Sequence, residues 1–192
     1  MRSFDTSVNE IELSTTGLDE IQIINSESNS IEVSVFDENP NSHYIIVDEE
    51  NDLLKIEFNL QFINDESTVF RKFITERLNR ASAVVKIPKN KSIIIYGTNI
   101  DLISKNYEGD LKIYIDKGLL KLNKVEGNIE AKLFQGNVFA EVKNSNIEVV
   151  SNNGKIMVNE EIHSKKYKKS SKFTSKIFKI TSINANVMLT TK

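Results

Sequence analysis

The chain has 192 residues, of which 39% are hydrophobic, and this length and composition predict one folded domain with a substantial core. Cysteine is absent, which excludes disulfides, thiolate metal sites and thiol chemistry. The net charge is −2, but residues 1–69 carry 16 Asp and Glu against 2 Lys and Arg, and residues 70–192 carry 11 against 23. We expect the acidic portion to pack near the basic portion and to neutralise it.

The sequence shows no targeting or membrane-spanning signal. No run approaches eighteen apolar residues, and the amino terminus, MRSFDTSVNEIELS, has no apolar core of a secretory signal. The sequence as given therefore predicts no transmembrane segment and a cytoplasmic location.

The segment 1–66 alternates between apolar and polar side chains in short stretches. Clear examples are Ile31–Val35 and Leu54–Phe62, and such period-two alternation is typical of strands with one buried face. The intervening sequences NSESNS, DENPNS and DEEND are rich in turn-forming residues. Residues 1–66 are therefore predicted to form β-strands that cover the amino-terminal end of the domain.

One segment departs from this alternation. In STVFRKFITERLNR the apolar side chains recur at helical spacing, and Ser67 is placed to cap the first turn. The spacing predicts one short helix over residues 67–80.

Glycines recur at a fixed nine-residue interval in the second half of the chain. They stand at Gly109, Gly118, Gly127, Gly136 and Gly154, and the missing slot, Ser145, holds another small residue. The second and fourth positions of each unit are apolar, which predicts that they point inward. These twelve positions are Leu111, Ile113, Leu120, Leu122, Ile129, Ala131, Val138, Ala140, Ile147, Val149, Ile156 and Val158.

Each nine-residue unit is therefore predicted to be a turn followed by a strand of about five residues. Glycine suits such turns because a bend after a short strand favours positive φ, which the asparagines that follow three of the slots, Asn128, Asn137 and Asn146, also tolerate. The five glycines are accordingly structural turn residues, and residues 82–158 form the predicted repeat core.

Two folds can use such units, an antiparallel meander and a β-solenoid. The constant period favours the all-β solenoid, because a coil places equivalent positions above one another while a hairpin needs no constant length. With two units per coil, Lys112 neighbours Glu130, and Phe139 neighbours Met157 as an outward interaction surface.

The carboxyl-terminal region holds a second candidate surface. The run HSKKYKKSSKFTSKIFKI contains seven lysines, and Lys165, Lys166, Lys168 and Lys169 are its densest cluster. Lysines interleaved with aromatics can bind polyanions, so a basic-tail binder is one alternative function. A solvated loop before a final strand is the simpler interpretation, and the lack of arginine in the run does not favour nucleic acid.

We expect residues 159–192 to cover the carboxyl-terminal end of the coil. Unprotected strand edges invite pairing, so an incompletely covered end would produce homo-oligomers by end-to-end association.

The stretch from Ala83 to Val158, with VVKIPKNKSIIIYG followed by GDLKIYI, GNIEAKL and GNVFAEV, resembles a known family. It is similar to the bacterial domain-of-unknown-function family described as putative adhesins with β-strand repeats, related to auto-transporter adhesin head domains. The resemblance implies a single-stranded right-handed β-helix, a cell-envelope location and adhesion to a protein or glycan. It implies no catalytic residues.

Other chemistries lack the residues that they need. His43 and His163 have no partners at metal-ligand spacing, no nucleophile-elbow sequence occurs, and the repeats lack the aspartate of calcium-binding nonapeptides. We therefore expect no metal and no cofactor. The enzyme alternative is a carbohydrate-active β-helix that uses Glu130 and Glu148, one coil apart and both outward, as its carboxylate pair.

The sequence thus predicts a non-enzymatic structural or binding protein of adhesin type. Its ligand and partner are not encoded in any motif.

Overall fold

The computed structural model describes residues 1–37, 43–60 and 81–191. The predicted helix, residues 67–80, lies outside the described residues. Over the described ranges the chain is all-β, as the alternating pattern predicts, and contains no helix. It follows that these ranges contain no helix able to cross a membrane.

Sixteen strands form the described part of the fold. They are β1 (Arg2–Asp5), β2 (Glu10–Ser14), β3 (Glu20–Asn25), β4 (Ser30–Asp37), β5 (His43–Glu50), β6 (Leu53–Leu60), β7 (Ala81–Ile87), β8 (Ser92–Asn99), β9 (Asp101–Lys105), β10 (Asp110–Val125), β11 (Ile129–Val142), β12 (Asn146–Ser151), β13 (Ile156–Val158), β14 (Glu161–His163), β15 (Lys166–Lys169) and β16 (Ile177–Thr191).

The strands pair in two ladders that share their longest members. The first ladder runs β5, β6, β2, β8, β10, β11, β16, β12, β15, and the second runs β1, β4, β7, β3, β9, β10, β11, β16, β13, β14. The first halves of β10, β11 and β16 pair in the first ladder and their second halves pair in the second. Pairing is parallel inside both ladders and antiparallel at their ends.

Neighbouring strands in the middle of the ladders are offset along the sequence by two nine-residue units. Leu111 pairs with Ile93 on one side and with Ile129 on the other, and Lys112 pairs with Glu130 as predicted. Equivalent side chains therefore lie beside one another on adjacent strands.

The order of strands departs from the prediction after β11. Its next neighbour is the last strand, β16, which pairs with β11 on one side and with β12 and β13 on the other. Phe139 consequently neighbours Met188, and the predicted contact between Phe139 and Met157 is wrong. The inserted strand is paired along both edges, and the lysine-rich β15 takes the outer position in the first ladder, where charged side chains oppose pairing with another chain.

The core lies between the two ladders. All twelve positions predicted to point inward are buried, each at most 6% exposed, which confirms the period-two reading of the repeats. Burial of such aliphatic side chains stabilises a fold by roughly 1.5–3 kcal/mol each relative to exposure.

The repeat glycines serve close packing more than turning. Gly118 and Gly136 have φ of +151° and +139°, and both lie inside continuous strands, β10 and β11, which corrects the prediction of a turn at every glycine. A Cβ at Gly136 would lie 1.9 Å from the carbonyl oxygen of Gly118, and one at Gly127 would lie 2.0 Å from that of Gly109. Neighbouring backbones approach so closely here that a side chain has no room.

The asparagines that follow the glycines do not adopt positive φ. They bond along the ladders instead. The Asn128 side chain donates to Asp110 Oδ1 at 3.1 Å and accepts from the N–H of Ile177 at 3.0 Å, while Asn137 Oδ1 accepts from Asn186 at 3.1 Å. These bonds hold the bends of successive strands in register.

Charge separates along the first ladder. The acidic portion of the chain supplies β5, β6 and β2 at one end of the first ladder, and the basic portion supplies β16, β12 and β15 at the other. Lys86 and Glu32 join the two portions at 2.9 Å. In the second ladder the two portions interleave, because β7 of the basic portion lies between β4 and β3 of the acidic portion.

Candidate functional site: an aromatic groove

A row of outward side chains crosses the first ladder at one register position. Ser14, Tyr96, Tyr114, Lys132 and Thr181 occupy successive strands β2, β8, β10, β11 and β16. Register partners on parallel strands point to the same face. The row thus forms one wall of a surface groove.

The groove follows the bends that join the two ladders. Its floor includes the register partners Gly97, Ile115, Leu133 and Ser182, and its volume is about 680 Å³, within the range of ligand sites. The opposite wall consists of the next outward side chains along each strand. They are Thr98, Asp116, Phe134, Ile183 and Asn152.

Glycine at the floor allows close packing beneath the groove. A Cβ at Gly97 would lie 2.4 Å from Thr15 Oγ1 and 2.7 Å from Ile100 Cγ2. Both contacts are far shorter than van der Waals separation, so the chain bends tightly here because position 97 has no side chain.

Aromatic and apolar side chains dominate the open surface of the groove. The rings of Tyr96 and Tyr114 stack with centroids 5.4 Å apart and planes 20° apart. Tyr96 is 44% exposed, Phe134 50% and Ile183 43%. Large apolar side chains grouped on a surface in this way commonly mark binding sites.

Two opposite charges line the groove, Asp116 and Lys132. The Lys132 ammonium lies 5.3 Å from the centre of the Tyr114 ring and 3.7 Å from the carboxylate of Glu130. These contacts hold the lysine against the tyrosine. The lining is neutral overall, which favours an uncharged ligand.

The sequence reasoning missed this groove, although a signal for it was present. Tyr96, Tyr114 and Lys132 follow one another at a spacing of two nine-residue units. Extending the two-unit period upstream of Gly109 places both tyrosines at the same outward position, so the aromatics are clustered in space while scattered in sequence.

The carboxylates of the enzyme alternative lie in a different outward row. Lys112, Glu130, Lys179, Glu148 and Lys168 are successive register partners, so the two glutamates are two strand spacings apart, roughly 9.6 Å, with Lys179 between them. Opposite charges on neighbouring strands stabilise a sheet. The row is a charge ladder in which a lysine occupies the space between the carboxylates.

The predicted surface at Phe139 and Met157 lies on the second ladder. Met188 separates the two residues, and the row continues to Ile162, which is 75% exposed. Phe139 itself is 39% exposed. The structure thus brings these side chains into one apolar stripe, although they are not direct neighbours.

The lysine cluster lies at one end of the first ladder. Lys166, Lys168 and Lys169 belong to the edge strand β15 of the first ladder, and Lys165 precedes it. Lys168 neighbours Glu148 in register. The lysines and the apolar stripe share one end of the stack but lie on different ladders, and they do not form one continuous row.

The two histidines lie on different strands. His43 begins β5, and the His163 ring lies 4.7 Å from the ring of Tyr167. Among residues 1–37, 43–60 and 81–191, no group of three or more histidine, aspartate or glutamate side chains is placed to hold a metal ion.

Comparison with known proteins finds a similar fold but no matching family. No family model and no curated protein match the chain. The structure is similar to that of a "putative cell adhesion protein" from Clostridium sporogenes, with a TM-score of 0.66 and 12% identity over 100% of this chain and 98% of that one. A "putative adhesin" from Bacteroides fragilis has a TM-score of 0.32 and 12% identity over 100% of this chain and 95% of that one, a structural likeness too low to carry an argument. The first similarity shows a shared fold.

Proposed function

We propose that this chain is a non-enzymatic, adhesin-like binding protein built as a right-handed β-solenoid. The constant offset of two units between paired strands supports the solenoid, because a coil of two strands and two bends uses the same number of residues in each turn. A right-handed coil follows the hand that connections between parallel strands almost always take.

We further propose that residues 1–192 form one domain with a cap at each end. The repeat core, residues 82–158, is extended by β2 and β3 on one side and interrupted by β16 on the other. The antiparallel strands β1, β4 and β5 cover one end, and β14 and β15 cover the other. The charged edge strand β15 opposes uncontrolled pairing with other chains. End-to-end homo-oligomers are still a prediction, which a measurement of molecular mass in solution would test.

The aromatic groove is the observation that carries the binding function. It combines stacked tyrosines, an exposed phenylalanine and neutral polar groups on a scaffold whose strands are paired in register. A rigid sheet that presents aromatic side chains loses little entropy when it binds. The fold shared with a protein named for cell adhesion supports a partner at the cell surface or envelope.

The two alternative functions have less support. Lys179 lies between Glu130 and Glu148, where a carbohydrate-active enzyme would place the bond that it cleaves. The lysines of β15 lie beside Glu148 at one edge, so a polyanion would meet a mixed surface.

Adhesion is tested with beads coated with the purified chain. We expect wild-type beads to attach to at least one of four surfaces, namely bacterial cells, epithelial cells, mucin and collagen. Phe134→Ser should reduce attachment at least about tenfold, because it removes an exposed groove side chain that we expect to contribute about 1.4 kcal/mol or more to binding.

Two matched variants separate the possible surfaces. Phe173→Ser changes a phenylalanine that is 96% exposed and outside the groove, and it should attach like the wild type. Phe139→Ser changes the apolar stripe on the second ladder and should also attach normally. Failure of wild-type beads on all four surfaces would contradict the adhesin-like function, and selective loss with Phe139→Ser would move the binding site to that stripe.

A further inference from the structure

One end of the tyrosine stack is open. Tyr114 has Tyr96 on one neighbouring strand and the Lys132 ammonium on the other, so both faces of its ring are covered. The register partner of Tyr96 on the far side is Ser14, whose side chain is too short to cover a ring. Among the described residues, the stack therefore ends on the face of Tyr96 that points toward β2.

Glu57, the next residue in the same row, bounds the space in front of the open face of Tyr96. Ser14 pairs with the exposed Glu57 on β6, so Tyr96 and Glu57 lie two strand spacings apart, roughly 9.6 Å, with only the serine between them. A ring in contact with Tyr96 at about 3.5–4.0 Å would lie above Ser14 and leave the Glu57 carboxylate within reach of its substituents. We call this space the Tyr96 slot.

Hydroxyl groups surround the slot. Ser14 and Thr16 hydroxyls lie 3.3 Å apart, and Thr98 follows Tyr96 on the opposite wall of the groove. Together with the Glu57 carboxylate they offer several acceptors and donors around one ring-sized space. A ligand with an apolar ring face and many hydroxyl groups satisfies both features.

The charges around the slot argue against other ligand classes. A nucleic acid needs cations along its backbone, but the groove lining holds one carboxylate, Asp116, and one lysine, Lys132, which contacts Tyr114 and Glu130. Beside the slot lie the carboxylate of Glu57 and, two residues earlier, Lys55, whose register partners are the acidic Glu12 and Asp48. An extended peptide that adds a strand needs a free sheet edge. The strands under the groove, β2, β8 and β10, are paired on both sides.

We propose that the Tyr96 slot binds a single uncharged terminal sugar of a surface glycan. The apolar face of the pyranose continues the tyrosine stack, its hydroxyls donate to the Glu57 carboxylate, and the rest of the glycan extends away from the groove. The open face of the Tyr96 ring points toward β2 and β6. A sugar stacked on this face therefore lies above Ser14, between Tyr96 and Glu57. This ligand class rests on the proposed binding function.

The same geometry predicts discrimination by charge. A sugar that carries a carboxylate would meet Glu57 directly, and like charges at close range disfavour a complex. Neutral pyranosides should bind, and a sialic acid glycoside should not.

The test is saturation-transfer NMR with the full chain and seven methyl glycosides. The neutral probes are the methyl glycosides of glucose, galactose, mannose, fucose, N-acetylglucosamine and N-acetylgalactosamine, and the acidic probe is that of N-acetylneuraminic acid. We expect at least one neutral probe to bind with a dissociation constant of about 1 mM or tighter, and no binding of the acidic probe.

Variants assign the binding to the slot. Tyr96→Ala should weaken binding at least about tenfold and Tyr96→Phe should keep it, because stacking needs the ring and not the hydroxyl. Tyr44→Ala is the matched control, since Tyr44 is 45% exposed and lies on the outermost strand β5. Glu57→Gln should weaken neutral sugars and admit the acidic probe.

Each contrary result has a defined meaning. Absence of binding by all six neutral probes overturns the proposed ligand, as does binding that Tyr96→Ala leaves unchanged. If beads attach to cells through the groove while no sugar binds, the adhesin-like function stands and the sugar ligand fails. If sugars bind in the slot while no surface is bound, the ligand stands and the adhesin-like function fails.

Discussion

Phe178→Ala is expected to lower the free energy of unfolding by about 3–5 kcal/mol. Phe178 is fully buried, and its register partners are Ile129 on β11 and Ile147 on β12. Truncation would leave a cavity in the centre of the core, because strands paired on both sides of β16 cannot collapse freely into it. The measurement is urea unfolding followed by circular dichroism.

The neighbouring residue provides the control for this substitution. Ile177 is 50% exposed, so Ile177→Ala should change the unfolding free energy by less than about 0.5 kcal/mol. A strand that only covered one end of the fold would tolerate the loss of Phe178 much better. A cost below about 1 kcal/mol for Phe178→Ala would therefore contradict the interior position of β16.

Gly136→Val is expected to cost at least about 3 kcal/mol or to prevent folding. The Cβ alone would lie 1.9 Å from the carbonyl oxygen of Gly118, and the φ of +139° is one that residues with a Cβ rarely adopt. The clash is with backbone, which cannot rotate away as a side chain can. Thermal and urea unfolding would measure the loss, with Gly136→Ala as a smaller change at the same site.

Glu141→Val is the matched control for the glycine substitution. Glu141 is exposed and lies on the same strand, β11, so a valine there has space and strand propensity. It should unfold within about 0.5 kcal/mol of the wild type. Gly136→Val with wild-type stability would show that the neighbouring backbones are not in the close contact described above.

The inward face of the repeats could be predicted because alternation records it directly. Leu111 and Ile129 are buried register partners on adjacent strands, as the two-unit period requires. The role of the glycines was predicted less well, since local sequence indicates that a side chain is excluded but not what excludes it. At Gly127 the cause is the carbonyl oxygen of Gly109, two nine-residue units earlier in the chain.

The order of the strands could not be predicted from alternation. Phe178 and Ile180 on β16 have the same inward pattern as Ile147 and Val149 on β12, so either strand satisfies the open side of β11. One signal does remain in the sequence. Ala185 pairs with Gly136, and the residues around it repeat the nine-residue template with alanine at the glycine position.

The complete groove could not be predicted from the sequence for a related reason. Tyr96 and Tyr114 become neighbours through the two-unit period, which the sequence contains, but Glu57 reaches the same row through the pairing of β6 with β2. No period links Glu57 to the tyrosines. Sites formed by non-equivalent strands therefore required the structure.

The order of neighbouring strands determines every outward row, and engineered disulfides test it directly. The chain has no cysteine, so Glu130→Cys with Lys179→Cys introduces the only two thiols. These residues are register partners on adjacent strands, about 4.8 Å apart, and should form a disulfide under mild oxidation. Glu130→Cys with Glu148→Cys spans two strands and should stay reduced, whereas the opposite outcome for the two pairs would contradict the position of β16 between β11 and β12.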